Sequence, residues 1–311
     1  MVYLAVLVAL LLLALKGYCG KKVSILAQDT RDNFLFNLIR MIFCLLVGLA
    51  VVLAENSGRS LRLDMGMACV CLLAGISNVT FLVGWMLAIQ RNAMVTVDVT
   101  LTIGSLIPAI LCALFFKEPL LPQKMIGFAL IVIAAVILSG YNKTMKKSGM
   151  MGALYLAIAM LGDGMMAFSQ QLFVKFYKAG GSFAGQNIYP LSVYHFYTYL
   201  FAALILFVLL FFILLRQEHK KDYVKNSFQN LKKPLPHIAV MAICLFAATY
   251  LQTVATGDMG MSSQILYPII KGGCLITVNC TAMLFFGEKP THRSVLGSFV
   301  AMAGIIVMSV L

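Results

Sequence analysis

Residues Leu114–Ser139 read LFFKEPLLPQKMIGFALIVIAAVILS, and residues Leu284–Ser309 read LFFGEKPTHRSVLGSFVAMAGIIVMS. Two generic membrane helices share apolar character, but they do not share an F-F-x-E hinge followed by a glycine at a fixed distance. Six positions are identical when the two stretches are aligned, namely Leu114/Leu284, Phe115/Phe285, Phe116/Phe286, Glu118/Glu288, Gly127/Gly297 and Ser139/Ser309. The pattern therefore predicts an internal repeat, each copy of which ends with this phrase.

The composition of the chain indicates an integral membrane protein. Of its 311 residues, 61% are hydrophobic and 11% are charged, whereas a soluble domain contains about 25% charged residues. A soluble surface could not be covered by so few polar side chains. The net charge of +13 comes from Lys and Arg that lie mostly between apolar segments. This distribution favours orientation in a lipid bilayer over binding to nucleic acid, so no nucleic-acid partner is expected.

The apolar segments are long enough for transmembrane helices, which need about 20 residues each. Solid apolar runs do not alternate as barrel strands do, so an all-α membrane protein is predicted. Ten segments qualify, at 2–25, 33–54, 66–88, 94–116, 124–141, 151–176, 188–215, 237–256, 262–286 and 293–311.

The repeated phrase divides these ten segments into two halves of five, residues 1–141 and 150–311. Because five is odd, the two halves enter the bilayer from opposite sides. Such inverted repeats are typical of transporters that alternate access to a central site.

Motifs for other chemistry are absent from the sequence. The eight cysteines lie nearly all inside apolar segments without zinc-ligand spacing, so they are interpreted as small buried hydrophobes. No Walker loop and no metalloprotease or hydrolase motif occurs. We therefore expect no enzyme activity, no catalytic residue, no metal and no cofactor.

The two quoted phrases resemble the helix 4–helix 5 signature of EamA-type transporters in the drug/metabolite transporter superfamily. That signature is an apolar helix ending in G-E, a short polar turn, and a helix with an early glycine. The second copy keeps Gly287–Glu288, while Lys117 replaces the glycine in the first. Arg40 stands where the family often has an arginine, and Lys16–Gly17 stands near the place of its W-G pair. The resemblance covers essentially the whole chain and implies a cell-membrane transporter of small metabolites or drugs, often an exporter.

The orientation in the membrane is predicted differently by two arguments. Lys and Arg are more frequent in the loops after odd-numbered segments, above all in residues 216–237. The positive-inside rule then places both termini outside the cell. The family resemblance implies that both termini lie inside.

Six ionisable residues fall within predicted membrane segments, where charge is costly without a partner or a water-filled cavity. They are Lys16, Arg40, Asp98, Asp163, His195 and Lys271. Pro268 and the Gly272–Gly273 pair flank Lys271 and predict a loosened helix of the kind that lines transporter sites, although a lysine can also snorkel to the interface. Asp98 lies at nearly the equivalent level of the other half, which suggests an Asp98–Lys271 pair across the cavity.

The other candidates keep two interpretations each. Asp163 and Gln170 share a helix face, which lines an aqueous cavity or forms hydrogen bonds between helices. Lys16 becomes interfacial if the first helix ends at Leu15, and His195 belongs either to an aromatic belt or to a proton pathway. The candidate substrate cavity comprises Lys16, Asn78, Trp85, Asp98, Asp163, Gln170, Tyr250, Gln264, Tyr267 and Lys271. Glu118 and Glu288 are interpreted as parts of a structural hinge.

These observations favour a secondary transporter that moves a small molecule by alternating access between the two repeats. Coupling to a proton or Na⁺ through Asp98, Asp163 or His195 is one expectation. The basic residues Lys16, Arg40 and Lys271 tilt the expected cargo towards anionic or zwitterionic metabolites. The alternative functions are a lipid scramblase and a receptor-like membrane protein.

Overall fold

The computed structural model describes residues 1–27, 30–55, 61–91, 94–118, 122–139, 149–183, 185, 187–215, 231–286 and 292–310. Over these ranges the regular structure is helical, without strands. The helices are α1 (Val2–Leu26), α2 (Thr30–Ala54), α3 (Met65–Arg91), α4 (Met94–Gly104), α5 (Leu106–Phe116), α6 (Pro122–Ser139), α7 (Gly149–Phe176), α8 (Leu191–Leu215), α9 (Leu235–Gly257), α10 (Ser263–Phe286) and α11 (His292–Val310).

The helices and their surfaces confirm an all-α, multi-pass membrane protein. Six helices in the described ranges are long and apolar enough to cross a membrane: α1, α2, α3, α7, α8 and α9. Large apolar side chains are exposed along them, for example Leu7 and Leu11 on α1 and Phe207 and Phe211 on α8. A surface of this kind suits lipid and not water.

The predicted fourth segment is not one helix, because it is interrupted at Ser105 between α4 and α5. Pro108 has no N–H to donate to the Gly104 carbonyl, and its ring crowds that carbonyl. The backbone tightens at the same place, where the Ser105 N–H lies 3.2 Å from the Thr102 carbonyl oxygen. The Ser105 hydroxyl also donates to that carbonyl oxygen, at 2.7 Å. The prediction of a continuous helix over 94–116 is therefore wrong at its centre.

The loosening predicted around Lys271 is not observed, since α10 runs unbroken from Ser263 to Phe286 with Pro268 inside it. Gly273 has a packing role instead. A Cβ atom added there would lie 2.6 Å from the Leu10 side chain, so the glycine admits α1 against α10. Because α1 extends to Leu26, Lys16 lies inside a helix and is not an interfacial residue.

Close helix crossings depend on small residues. At the α3–α7 crossing, a Cβ at Gly84 would come 2.7 Å from the Ala159 nitrogen. A Cβ at Gly162 would come 2.3 Å from the Phe81 nitrogen. Small residues allow this approach of two backbones and are typical of membrane helix interfaces. The crossing places the residue after Gly162, Asp163, in the interior of the bundle.

Candidate functional site

A buried ion pair between α7 and α10 lies at the centre of the site. The Lys271 Nζ atom is 2.8 Å from Asp163 Oδ1 and 2.6 Å from Asp163 Oδ2. The side chains are only 18% and 7% exposed. A bidentate, charge-assisted contact of this kind offsets the cost of removing both charges from water. Both residues belong to the second predicted half, 150–311, and both side chains lie in the interior of the bundle.

A small cavity of about 30 Å³ adjoins this pair. One water molecule needs about 10–15 Å³ by this measure, so this form has room for a few waters but not for a metabolite. Five candidates named from the sequence line it, namely Lys16, Asp163, Gln170, Tyr267 and Lys271. Polar residues that the sequence analysis did not select also line it: Ser105, Thr249 and Gln252.

Tyr267 lies at one end of the cavity in a dense set of hydrogen bonds. Its hydroxyl lies 3.0 Å from the Ala167 carbonyl oxygen and 3.1 Å from Gln170 Oε1, and it can donate to either. The same hydroxyl accepts a bond from Gln171 Nε2 at 3.0 Å. Gln171 lines a second cavity, so the Tyr267–Gln171 contact separates the two spaces.

The second cavity is larger and more polar, with a volume of about 270 Å³. We call it the vestibule. Glu118 contacts two helices there, with Oε1 3.0 Å from Lys175 Nζ and Oε2 accepting from the Ser263 hydroxyl at 3.1 Å. Lys178 of the vestibule pairs with Asp258. Glu118 thus lines a cavity as well as following the turn at Lys117, whose φ of 53° ends α5. Its repeat counterpart Glu288 lies outside the described residues.

Two further cations lie around Trp85, on α3. The Lys16 Nζ atom is 5.1 Å from the Phe81 ring centroid and 5.3 Å from that of Trp85. The Arg40 Cζ atom is 5.8 Å from the Trp85 centroid. Such distances allow cation–π attraction. Arg40 is 1% exposed, and none of its guanidinium nitrogens has a hydrogen-bond partner in the described part of the chain.

A row of buried amides precedes Arg40 on α2. Asn33 and Asn37 are fully buried, and Asn33 Nδ2 donates to Gln90 Oε1 at 2.9 Å. Neither amide atom of Asn37 finds a partner among the described residues. Residues 33, 37 and 40 recur at the helix period, so they share one face. After the polar first turn, which ends with Asn33, the helix is apolar to Ala54 except for Asn37 and Arg40.

Other candidates from the sequence lie away from the cavity. The Tyr250 hydroxyl donates to Glu55 Oε1 at 2.8 Å. Asn78 and Gln264 are buried, each with a side-chain oxygen that has no partner within the described ranges. Trp85 is 2% exposed, and its ring contacts the Lys16 ammonium group.

His195 is buried on α8 and does not face lipid, which argues against the aromatic-belt interpretation. Its Nε2 atom is 3.2 Å from the Thr253 hydroxyl. Asp98 lies in α4, but its side chain falls outside the described residues. The Asp98–Lys271 pair therefore stays a prediction, and Asp163 is the carboxylate that the structure places on Lys271.

Metal ligation has no basis in the described ranges, where no cluster of three His, Cys, Asp or Glu residues could hold an ion. None of the eight cysteines forms a disulfide, and five of them, Cys19, Cys44, Cys71, Cys112 and Cys244, are buried. Pro108 is the signal that sequence reasoning missed. A proline in the middle of an apolar segment marks the break that brings Ser105 to the cavity.

Comparison with known proteins extends the description of the fold. No protein-family model matches the chain, and no curated protein matches it. A solved structure described only as "Crystal structure of protein" is similar over 99% of this chain and 96% of that chain, with a TM-score of 0.71 and 14% identity. At this identity the likeness concerns the fold and not the activity. The arrangement of helices is therefore one that occurs in an experimental structure.

Proposed function

We propose that the protein is a secondary transporter that moves a small metabolite or drug across the cell membrane, as the EamA resemblance implies. The observation that carries the proposal is the Asp163–Lys271 ion pair beside a small cavity with polar side chains in its wall, inside an apolar bundle. Intramembrane charges are costly, and in membrane proteins they mark substrate or ion pathways.

In this proposal the ten predicted segments form two inverted halves, with α4 and α5 counted as one interrupted segment. A pseudo-two-fold axis would pair the α3–α7 contact with α9–α1, and the α3–α8 contact with α9–α2. It would also pair α2–α8 and α6–α11 each with itself. All six helix contacts are present, which supports the proposal.

The proposed transport cycle opens the cavity to one side at a time. On the vestibule side, the closed form is held by the Tyr267–Gln171 hydrogen bond and by the Glu118 contacts to Lys175 and Ser263. Loss of these bonds would join the two cavities. The interrupted α4–α5 segment supplies a place for the bend, because its Gly104 carbonyl lacks the usual helical donor at Pro108.

Asp163 would couple the cycle to an ion. A proton or Na⁺ on its carboxylate competes with Lys271, and release of Lys271 removes one contact between α7 and α10. The ligand and the coupling ion then act on the same bistable element.

Flux in proteoliposomes tests the proposal. Vesicles containing the purified protein are loaded in turn with radiolabelled amino acids, carboxylates, nucleosides and organic cations, and efflux is measured with and without pH and Na⁺ gradients. We expect substrate-dependent flux for one class. Asp163→Asn and Lys271→Gln should each lower it at least tenfold, and the double exchange Asp163→Lys/Lys271→Asp should recover part of it. Lys22→Gln, at the end of α1 over Tyr18, is the matched charge-removal control.

Two outcomes would contradict the proposal. One is a folded protein without flux for any class in the panel. The other is movement of fluorescent lipid between leaflets at equal rates in wild-type and Asp163→Asn vesicles, which would favour a scramblase.

A further inference from the structure

The charged side chains described around the small cavity are mostly basic. Of the charged side chains described along its wall, Lys16 and Lys271 are basic and Asp163 is acidic. Asp163 pairs with Lys271 through both of its oxygens. The described close contacts of Lys16 are the Phe81 and Trp85 rings, and Asp163 acts on it only at longer range.

Arg40 increases the imbalance. Its guanidinium group is 1% exposed, and its three nitrogens lack hydrogen-bond partners in the described ranges. An unpaired buried cation costs several kcal/mol unless an anion or ordered water satisfies it. Both cations lie within 6 Å of one ring, that of Trp85, and are close enough to repel each other. One bound anion between them would relieve both costs.

We infer that Lys16 and Arg40 bind the anionic group of a small solute, a carboxylate or a phosphate. The planar guanidinium matches such groups with two parallel N–H donors, and the ammonium of Lys16 adds a point charge from the cavity side. The inference rests on the proposed transport function, because it names the chemical class of the transported solute. Its test measures binding and does not require transport.

The form described here does not yet admit the ligand, because its cavity of about 30 Å³ has room for only a few water molecules. Entry requires opening, and the Tyr267–Gln171 contact is the boundary to the vestibule. A bound anion therefore stabilises forms in which the cavity is wider. The measured affinity then depends on the equilibrium between narrow and wide forms as well as on the contacts of the anion with Lys16 and Arg40.

The chain contains a built-in probe, because Trp85 is its single tryptophan and its ring contacts both cations. Intrinsic fluorescence thus reports this site without labelling. The purified protein in phosphatidylcholine nanodiscs is titrated with inorganic phosphate, sulfate and succinate at constant ionic strength. Choline and glycerol are the cationic and neutral comparators. Thermal unfolding is measured in the same samples, since a ligand of the folded state raises the melting temperature.

We expect a saturable fluorescence change and a higher melting temperature with at least one of the three anions. Lys16→Gln and Arg40→Gln should each weaken its apparent affinity at least tenfold. Arg40→Lys, which keeps the charge, should recover part of the loss, whereas Lys22→Gln on the same helix as Lys16 should change nothing.

Several results would overturn the inference. They are an equal response to choline, an equal response to glycerol, or unchanged affinity in a folded Arg40→Gln protein. A response to added phosphatidic acid in the nanodisc, without any response to free phosphate or succinate, would assign the cations to a lipid headgroup instead. Flux of a neutral or cationic solute without anion binding would remove this inference and leave the transport proposal standing. Anion binding without flux of any solute would support this inference and contradict the transport proposal.

Discussion

At the scale of single residues, the site contains few buried hydrogen-bond acceptors and several buried donors. Asp163 accepts two contacts from Lys271, and Tyr267 bonds to neighbours on α7 through one hydroxyl group. Each contact closes the cavity on a different side, and each is a bond that a polar ligand or water could replace. The same residues therefore stabilise the closed form and remain able to release it.

Tyr267→Phe tests the boundary between the cavity and the vestibule. The change removes the hydroxyl that bonds to Gln171 and leaves the ring in place. In a background without the eight native cysteines, we expect Ser105→Cys, on the cavity wall, to react at least threefold faster with a small polar thiol reagent. Tyr250→Phe is the control, because its hydroxyl bonds to Glu55 outside the cavity. Equal labelling rates for the two variants would exclude the proposed boundary.

At the scale of helices, close crossings and one break set the positions of these residues. Gly84 and Gly162 allow α3 and α7 to touch through their backbones, and α7 then carries Asp163 and Gln170 to the cavity. The break at Ser105 brings a hydroxyl to the opposite wall. Neither effect depends on the polar residues that first suggest a site, because both depend on backbone geometry.

Gly162→Ala should destabilise the protein, since the new methyl group would lie 2.3 Å from the Phe81 nitrogen and force the helices apart. Overpacking of this kind costs about 1–3 kcal/mol. We expect a lower melting temperature in detergent and reduced flux. Gly185→Ala is the matched control, because a Cβ there meets nothing within 4 Å. An unchanged melting temperature for Gly162→Ala would show that α3 and α7 do not cross at this point.

Pro108→Ala tests the break in the α4–α5 segment. Alanine can donate its N–H to the Gly104 carbonyl and make the helix continuous. We expect slower flux without a loss of thermal stability, because a straighter helix resists the proposed bend. Pro234→Ala, before α9 and away from the cavity, is the control. Wild-type flux in Pro108→Ala would mean that the break has no part in the cycle.

At the scale of the whole molecule, the two predicted halves are interlaced. The principal contacts of α1, α2, α3 and α6 are with α9, α8, α7 and α11, and each of these joins residues before 141 to residues after 149. Without the other half, each half would expose the apolar and polar side chains that these contacts bury. The two predicted halves are therefore better described as parts of one folding unit than as separable domains.

This interlacing predicts that neither half folds alone. Residues 1–148 and 149–311 expressed separately should be degraded or aggregate, whereas co-expression should give a complex that copurifies and binds the same anions. The measurement is size-exclusion chromatography of a tagged half with and without its partner. A monodisperse, folded half purified by itself would contradict the prediction.

The sequence by itself determined the class of the protein and much of its plan. Apolar segments of bilayer length require helices, because backbone groups in lipid must be satisfied within a segment. The helix period also placed Asp163 with Gln170, and Tyr267 with Lys271, on shared faces. These properties depend on residues that are close together in the chain, so the sequence pattern predicts them directly.

Only the tertiary structure decided which charges meet. The Asp98–Lys271 pair stays a prediction, while the structure shows Asp163 on Lys271 and leaves the Arg40 guanidinium without a hydrogen-bond partner in the described ranges. It also moved Tyr250 away from the cavity and brought Glu118 to the vestibule. A pairing between helices depends on their crossing points and rotations, which small residues such as Gly162 set through contacts that are distant in the chain.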